Sequence, residues 1–257
     1  MGKELAFFEG NIIPIDSAKV GIKTHALHYG TAVFEGIRGN WNSVHNKIYV
    51  FRLREHYERL IKGCKILKMD IDYSVDELCE ITINLIKESG YKEDIYIRPL
   101  AYKSEEKIAN LKLHELESNF ALMIVPFGNY IDNEKPIRCQ TSSWRRPHDS
   151  MMPTGVKLSG LYTTSILAKT EAIMAGFDEA ILLNFDGSVS EGSGENLFMV
   201  RDGQLITPSE TENCLLGITR DCVFEIASNE FGMKIQSRKI HRSEIYLAEE
   251  VFLTGTA

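Results

Sequence analysis

Apolar and polar positions alternate with two different periods along this chain, and the switches between them mark the elements. Residues 47–51 (Lys-Ile-Tyr-Val-Phe) read as a strand. They run into a helix in which Tyr57, Leu60, Ile61, Cys64 and Leu67 recur at helical spacing. A second helix is predicted over 74–89, because Ser74 can cap it, Glu77 stands three residues on, and Gly90 can end it. The segments 94–99 and 119–127 read as strands, with Pro99 placing the first at a sheet edge or at its own end. Farther on, 161–175 reads as a helix ended by Gly176. A meander of short strands then follows, punctuated by Asp186-Gly187 and Asp202-Gly203, both hairpin signals. An amphipathic helix over 219–230 is closed by Gly232.

The polar, turn-rich stretch from Gly128 to Pro136 is the best candidate for a linker. The expected organisation is a mixed α/β (α+β) chain in two domains. A small N-terminal α/β domain spans 1–129, a linker 130–136, and a larger domain with a strand meander and helices 137–257. The run ending Glu-Val-Phe-Leu-Thr-Gly-Thr-Ala257 reads as an interior segment, so a truncated C-terminus is expected.

Bulk properties narrow the function classes. With 257 residues, 44% hydrophobic and 25% charged, the chain has the composition of a soluble globular protein with a sizeable core. A net charge of -7 argues against nucleic acid as a partner. The longest apolar run, Phe120 to Val125, is too short to span a bilayer, and the N-terminal residues have no signal-peptide pattern, so no membrane partner and a cytoplasmic location are expected. Five cysteines without a Cys-x-x-Cys pair suit neither a disulfide framework nor a zinc site. His25 and His28 have no acidic companion at ligand spacing, so no metal is predicted.

Three short segments carry candidate chemistry. Lys157 lies in Gly155-Val-Lys-Leu-Ser-Gly-Leu-Tyr162, among apolar and small residues rather than in a charge run. A desolvated lysine offers a free amine for Schiff-base formation, although most lysines are solvated surface groups. In Ser190-Glu-Gly-Ser-Gly-Glu-Asn-Leu-Phe198, Glu191 and Glu195 flank glycines, including Gly194, that let backbone approach a ligand. A glycine-rich turn with solvated glutamates is the alternative. Gly217-Ile-Thr-Arg-Asp221 delivers the chain into a helix whose first N–H groups suit a phosphate, or it is an ordinary helix start. An amine, a carboxylate and an anion cradle in this order are what pyridoxal 5'-phosphate requires. Arg59 can clamp phosphate, or pair with Glu55 on a solvated helix face. Alternation places Tyr96 and Arg98 on one strand face, suited to a carboxylate, and Ile95 and Ile97 on the other.

On these segments, together with Thr24-His-Ala-Leu-His-Tyr-Gly30, Val33-Phe-Glu-Gly-Ile-Arg38, Arg54-Glu-His-Tyr-Glu-Arg-Leu60, Tyr96-Ile-Arg-Pro99 and Leu253-Thr-Gly-Thr-Ala257, the chain resembles the fold-type IV (class IV) aminotransferases, and most closely the branched-chain amino acid branch. The resemblance implies a two-domain pyridoxal phosphate enzyme. It would move an amino group from leucine, isoleucine or valine to 2-oxoglutarate.

Position by position, the resemblance implies that Lys157 holds the cofactor and shuttles the proton. Glu191 would meet the pyridine nitrogen, Tyr162 the phenolic oxygen, and Gly194 would lie in the cofactor-binding turn. Arg59, the amides of Ile218 and Thr219, and Thr256 would hold phosphate, with Leu215 against the ring. Phe34, Tyr130 and Tyr162 would line an aliphatic pocket. Gly36, Arg38, Tyr96, Arg98, Thr256 and Ala257 would recognise substrate carboxylates, with Arg98 at the rim. Tyr29 would reach across a subunit interface, so the active unit is expected to be a homodimer or an oligomer of dimers. D-amino acid aminotransferases, aminodeoxychorismate lyases, and a non-catalytic pyridoxal phosphate-binding relative are the alternatives.

Overall fold

A computed structural model of the chain describes residues 2–128 and 135–256. Tyr130 and Ala257, and most of the predicted linker, lie outside the described residues. The chain divides into two compact units near residue 132, and the short segment Val156–Gly160 belongs with the first unit rather than with the residues on either side of it.

The first unit is built on a seven-stranded sheet. Its strands are β1 (Leu5–Phe8), β2 (Asn11–Pro14), β3 (Ala32–Phe34), β4 (Ile37–Asn42), β5 (Lys47–Val50), β6 (Ile95–Lys103) and β7 (Ser118–Pro126). They are ordered β2-β1-β7-β6-β4-β5, with β3 also pairing with β6. The short helix α1 (His25–Tyr29) precedes β3, while α2 (Leu53–Ile66) and α3 (Val75–Ser89) supply the helical layer. α3 starts where its capping box predicts: Ser74 and Glu77 satisfy each other's backbone donors, and Gly90 closes the helix in the left-handed conformation. Tyr57, Leu60 and Cys64 of α2 are buried as the helical spacing requires, against a core that includes Leu78, Leu85, Ile97, Phe120 and Ile124.

β6 corrects the expectation drawn from Pro99. It is a central strand and Pro99 sits in its middle. The ring is tolerated because the neighbour on that side changes there. β4 pairs with Ile95–Ile97 and β3 with Leu100–Tyr102, so Pro99 faces the gap and its carbonyl accepts from Glu35 N at 3.0 Å. Alternation along β6 buries Ile95 and Ile97 and leaves Tyr96 and Arg98 half-buried together on the opposite face.

The second unit holds two smaller sheets. Its elements are β8 (Cys139–Arg145), α4 (Tyr162–Met174), β9 (Glu179–Leu183), β10 (Val189–Gly192), β11 (Asn196–Arg201), β12 (Gln204–Thr207), α5 (Ile218–Asn229), β13 (Lys234–Ser237), α6 (Arg242–Ile245) and β14 (Glu250–Thr254). The strand orders are β10-β9-β8 and β13-β12-β11-β14. The predicted hairpins form at Gly187 and at Asp202-Gly203, each with positive φ where its turn needs it. The unit is more than a meander: β8 pairs parallel with β9 across α4, and β12 parallel with β13 across α5. Such crossovers place helices against the sheets, and Phe198, Leu205 and Ala227 form one of the resulting cores.

Candidate active site

In the first unit, backbone pairing fixes the candidate lysine. The segment Val156–Gly160 lies antiparallel to β3 through a bridge between Val33 and Leu158. Phe34 N donates to Lys157 O at 3.1 Å, Ser159 N to Ala32 O at 2.9 Å and Gly160 N to Gly30 O at 3.2 Å. Two glycines permit this approach. Gly30 has φ of 65°, and a Cβ there would sit 2.9 Å from Gly160 Cα; a Cβ on Gly63 would meet Val33 and Val156 methyls at 2.7 and 2.8 Å. The half-buried Lys157 is therefore held by its own backbone, and its Nζ lies 5.2 Å from the centre of the Phe34 ring.

Beside Phe34, Glu35 is 1% exposed and organises a charge cluster. It accepts from Arg59 Nε and Nη2, both at 2.7 Å, and from His56 Nδ1 at 2.8 Å. Burial drives its carboxyl upward, but the hydrogen bonds from Arg59 and His56 outweigh that and bring it down to about 2. Arg59 thus faces Glu35 in the protein interior and not Glu55, whose ion-pair partner is Arg52 at 3.9 Å.

Tyr96 and Arg98 do come together as their shared face predicts: Arg98 Nη2 donates to the Tyr96 hydroxyl at 2.9 Å. The Arg98 guanidinium lies over the Phe34 ring at 4.6 Å and the Tyr96 ring at 5.0 Å, and its buried Nε has no hydrogen-bond partner among the described residues. Gly36 is needed here because a Cβ would fall 2.1 Å from the Tyr96 phenol oxygen. Arg38, the remaining candidate on the sheet, contacts Asp94 and Gly128 O, each at 3.4 Å, and the Phe127 ring. Tyr29 is exposed, and its hydroxyl accepts from Ala109 N at 3.0 Å.

In the second unit, Glu191 lies near the end of β10 and is 6% exposed, so the solvated-turn alternative does not hold for it. Its Oε1 is 2.8 Å from Arg146 Nη2, and its Oε2 accepts from Leu215 N at 2.9 Å and Asn196 Nδ2 at 3.4 Å. Asn196 Nδ2 also donates to Leu215 O at 2.7 Å, which fastens Leu215 to the same cluster through both its N–H and its carbonyl. Gly217 then turns the chain into α5, and among the described residues no side chain caps that helix. A Cβ on Gly217 would lie 2.2 Å from Asn196 Oδ1. Ile218 and Thr219 thus present first-turn N–H groups, and the helix dipole adds positive potential there.

Glu195 lies across the glycine turn, with its Oε2 accepting from Gly194 N at 3.0 Å. Burial, and then the neighbouring Glu179 carboxylate, raise the Glu195 carboxyl well above the ordinary range. Tyr162 is the first residue of α4 and half-buried, and Thr256 is half-exposed beyond β14.

Two parts of these clusters escaped the sequence reading. Glu35 and His56 stood in segments already singled out, and a lone glutamate inside Ala32-Val-Phe-Glu-Gly-Ile37 signals a buried partner. Arg146 gives no such signal: it follows Arg145, which is exposed, and its partner Glu191 is 45 positions away in sequence.

The amino-transferase class IV family model matches residues 32–257. The chain belongs to the class IV aminotransferases. The aminotransferase is 48% identical over 254 residues to the probable branched-chain-amino-acid aminotransferase of Aquifex aeolicus, covering 99% of this chain and 81% of the relative. Its fold is similar to that of a branched-chain aminotransferase from Thermoproteus uzoniensis with norvaline, at a TM-score of 0.95 and 43% identity, covering 100% of this chain and 84% of the other. It is also similar to the pyridoxal phosphate-bound form of a branched-chain amino acid aminotransferase from Thermobaculum terrenum, at a TM-score of 0.93 and 36% identity, covering 99% and 83%.

The residues of this aminotransferase fit pyridoxal phosphate in kind. One unit supplies a backbone-anchored amine. The other supplies a buried carboxylate with its donors in place, and an uncapped helix start kept open by Gly217.

Proposed function

We propose that this class IV aminotransferase transfers the amino group of L-leucine, L-isoleucine and L-valine to 2-oxoglutarate, with pyridoxal 5'-phosphate as cofactor, giving the 2-oxo acids and L-glutamate. The observation that carries the substrate reading is Arg98, whose cation rests on the Phe34 and Tyr96 rings with a buried Nε that no described residue pairs. An aromatic surface with one guanidinium suits an aliphatic side chain in one half-reaction and an acidic one in the other.

When bound, the cofactor supplies an electron sink that weakens the substrate's Cα–H bond. Lys157 is assigned the amine that holds it and moves the proton to and from the substrate carbon. Glu191 faces the pyridine nitrogen and Tyr162 the phenolic oxygen, with Leu215 against the ring and Gly194 in the supporting turn. Arg59, oriented by Glu35, holds phosphate together with the amides of Ile218 and Thr219 and the hydroxyl of Thr256. Phe34 and Tyr162 line the side-chain pocket, as does Tyr130, which lies outside the described residues. Gly36, Tyr96, Arg98 and Thr256 take part in carboxylate recognition. Arg38 and Ala257 are assigned there by resemblance alone. Tyr29 serves an interface in a homodimer or dimer-based oligomer, and the enzyme works in the cytoplasm.

Borohydride reduction of the holoenzyme followed by peptide mapping tests the assignment. A pyridoxyl group on the Lys157 peptide is expected; labelling of another lysine sinks it.

A further inference from the structure

Glu191 is held by more than the cofactor-facing role requires. Each of its oxygens already has a donor, and the donor to Oε1 is a charged side chain buried as deeply as Glu191 itself. Arg146 cannot swing away, because its Nε donates to Asn213 O at 3.0 Å. Asn213 is fixed in turn. It adopts the left-handed conformation at φ 57°, its Nδ2 donates to Asn184 Oδ1 at 2.9 Å, and its Oδ1 accepts from Asp149 N at 3.0 Å. Asn184 Nδ2 and Ser188 Oγ both donate to Glu212 Oε2, at 3.0 and 2.6 Å, which closes a buried polar network behind the guanidinium.

We propose that Arg146 is a positioning residue that keeps Glu191 an oriented carboxylate and so keeps the proton on the pyridine nitrogen of the bound cofactor. The proposal rests on the reading of Glu191 given above. A carboxylate buried without a cation takes up a proton readily. Opposite a pyridine nitrogen, a more basic Glu191 competes for the proton that the ring must carry to withdraw electrons. Arg146 lowers the proton affinity of Glu191 and leaves the proton on the ring. Glu195 and Cys214, whose thiol burial pushes up to about 12, are titratable groups that feel the Glu191 charge. Both are acids, and neither replaces the positive charge. Arg220 acts on Cys214, but its Nη2 is committed to Pro208 O and Ser237 Oγ.

The test is the pH titration of the visible absorption band of the lysine-bound cofactor. Loss of the ring proton makes the Schiff-base nitrogen more basic, so Arg146→Met is expected to move that titration upward by about one pH unit or more, in the same direction as Glu191→Gln. In the Glu191→Gln background, Arg146→Met is expected to add no further shift. Arg146→Lys retains a cation and is expected to titrate close to wild type. It also serves if the Met variant fails to fold, since a shift as large as that of Glu191→Gln would then overturn the proposal. Lowered thermal stability in Arg146→Met with an unmoved titration would overturn it as well, leaving Arg146 a structural clamp. An unmoved titration in Glu191→Gln would instead remove the Glu191 reading, and the proposal with it.

Discussion

Replacing Glu35 by Gln removes one charge from a buried cluster with Arg59 and His56, and its effect should depend on pH in a defined way. Glu35 is 1% exposed and receives both arms of Arg59 and the His56 ring. Its carboxyl stands at about 2 in the folded chain against an ordinary 4.5. At 1.36 kcal/mol per unit, that depression corresponds to roughly 3 kcal/mol of stabilisation by the ionised form. Because the folded value is the lower one, the contribution is complete above pH 4.5 and is lost as pH falls toward 2.

Urea unfolding at a series of pH values measures it, and the two tryptophans make the readout local. Trp144 is 46% exposed and belongs to the second unit. In a Trp144→Phe background, Trp41 therefore reports on the unit that contains Glu35. The wild type should exceed Glu35→Gln by roughly 3 kcal/mol at about pH 7, and the two should converge between pH 4.5 and 2. A gap that stays constant across that range, or no gap at neutral pH, would refute the reasoning.

Three further substitutions separate cofactor, substrate and fold. Arg59→Ala should weaken pyridoxal phosphate retention by about ten- to a hundredfold in an equilibrium dialysis assay, as expected for loss of a charged hydrogen bond; wild-type retention counts against Arg59 as a phosphate ligand. Gly36→Ala drives a methyl into the Tyr96 phenol, which Arg98 holds, so KM for 2-oxoglutarate should rise about tenfold or more while cofactor retention stays unchanged. Lys103→Met should lower unfolding stability by at least about 2 kcal/mol. Lys103 is 1% exposed and its ammonium donates to Lys68 O, Leu116 O and Ser118 Oγ at 2.7, 3.0 and 3.0 Å, and all three acceptors lose their donor.

Local signals made much of the fold legible. The capping box at Ser74, the turn at Asp202-Gly203 and the alternation through Tyr96 and Arg98 each act over a few residues, and each appears in the structure where its chemistry places it. Pro99 misled because a proline reports only that its own N–H is missing. Whether that matters depends on β3 and β4, which exchange places opposite it. The parallel pairings β8/β9 and β12/β13 were hidden for a similar reason, since a crossover is a relation between distant strands. At the candidate site the motifs marked Lys157, Glu191 and Arg59. Their partners Glu35, His56, Arg146 and Asn213 were not read, because an ion pair between remote segments leaves no periodicity. The unexplained Glu35 in an apolar run was the exception that could have been used.

The central claim is that this aminotransferase moves amino groups from branched-chain L-amino acids to 2-oxoglutarate. The direct measurement is a panel assay of the pyridoxal phosphate-loaded protein with 2-oxoglutarate as acceptor, following glutamate formation from L-leucine, L-isoleucine, L-valine and D-alanine. The account predicts turnover of the three branched-chain substrates with little from D-alanine; preference for D-alanine over L-leucine would contradict it.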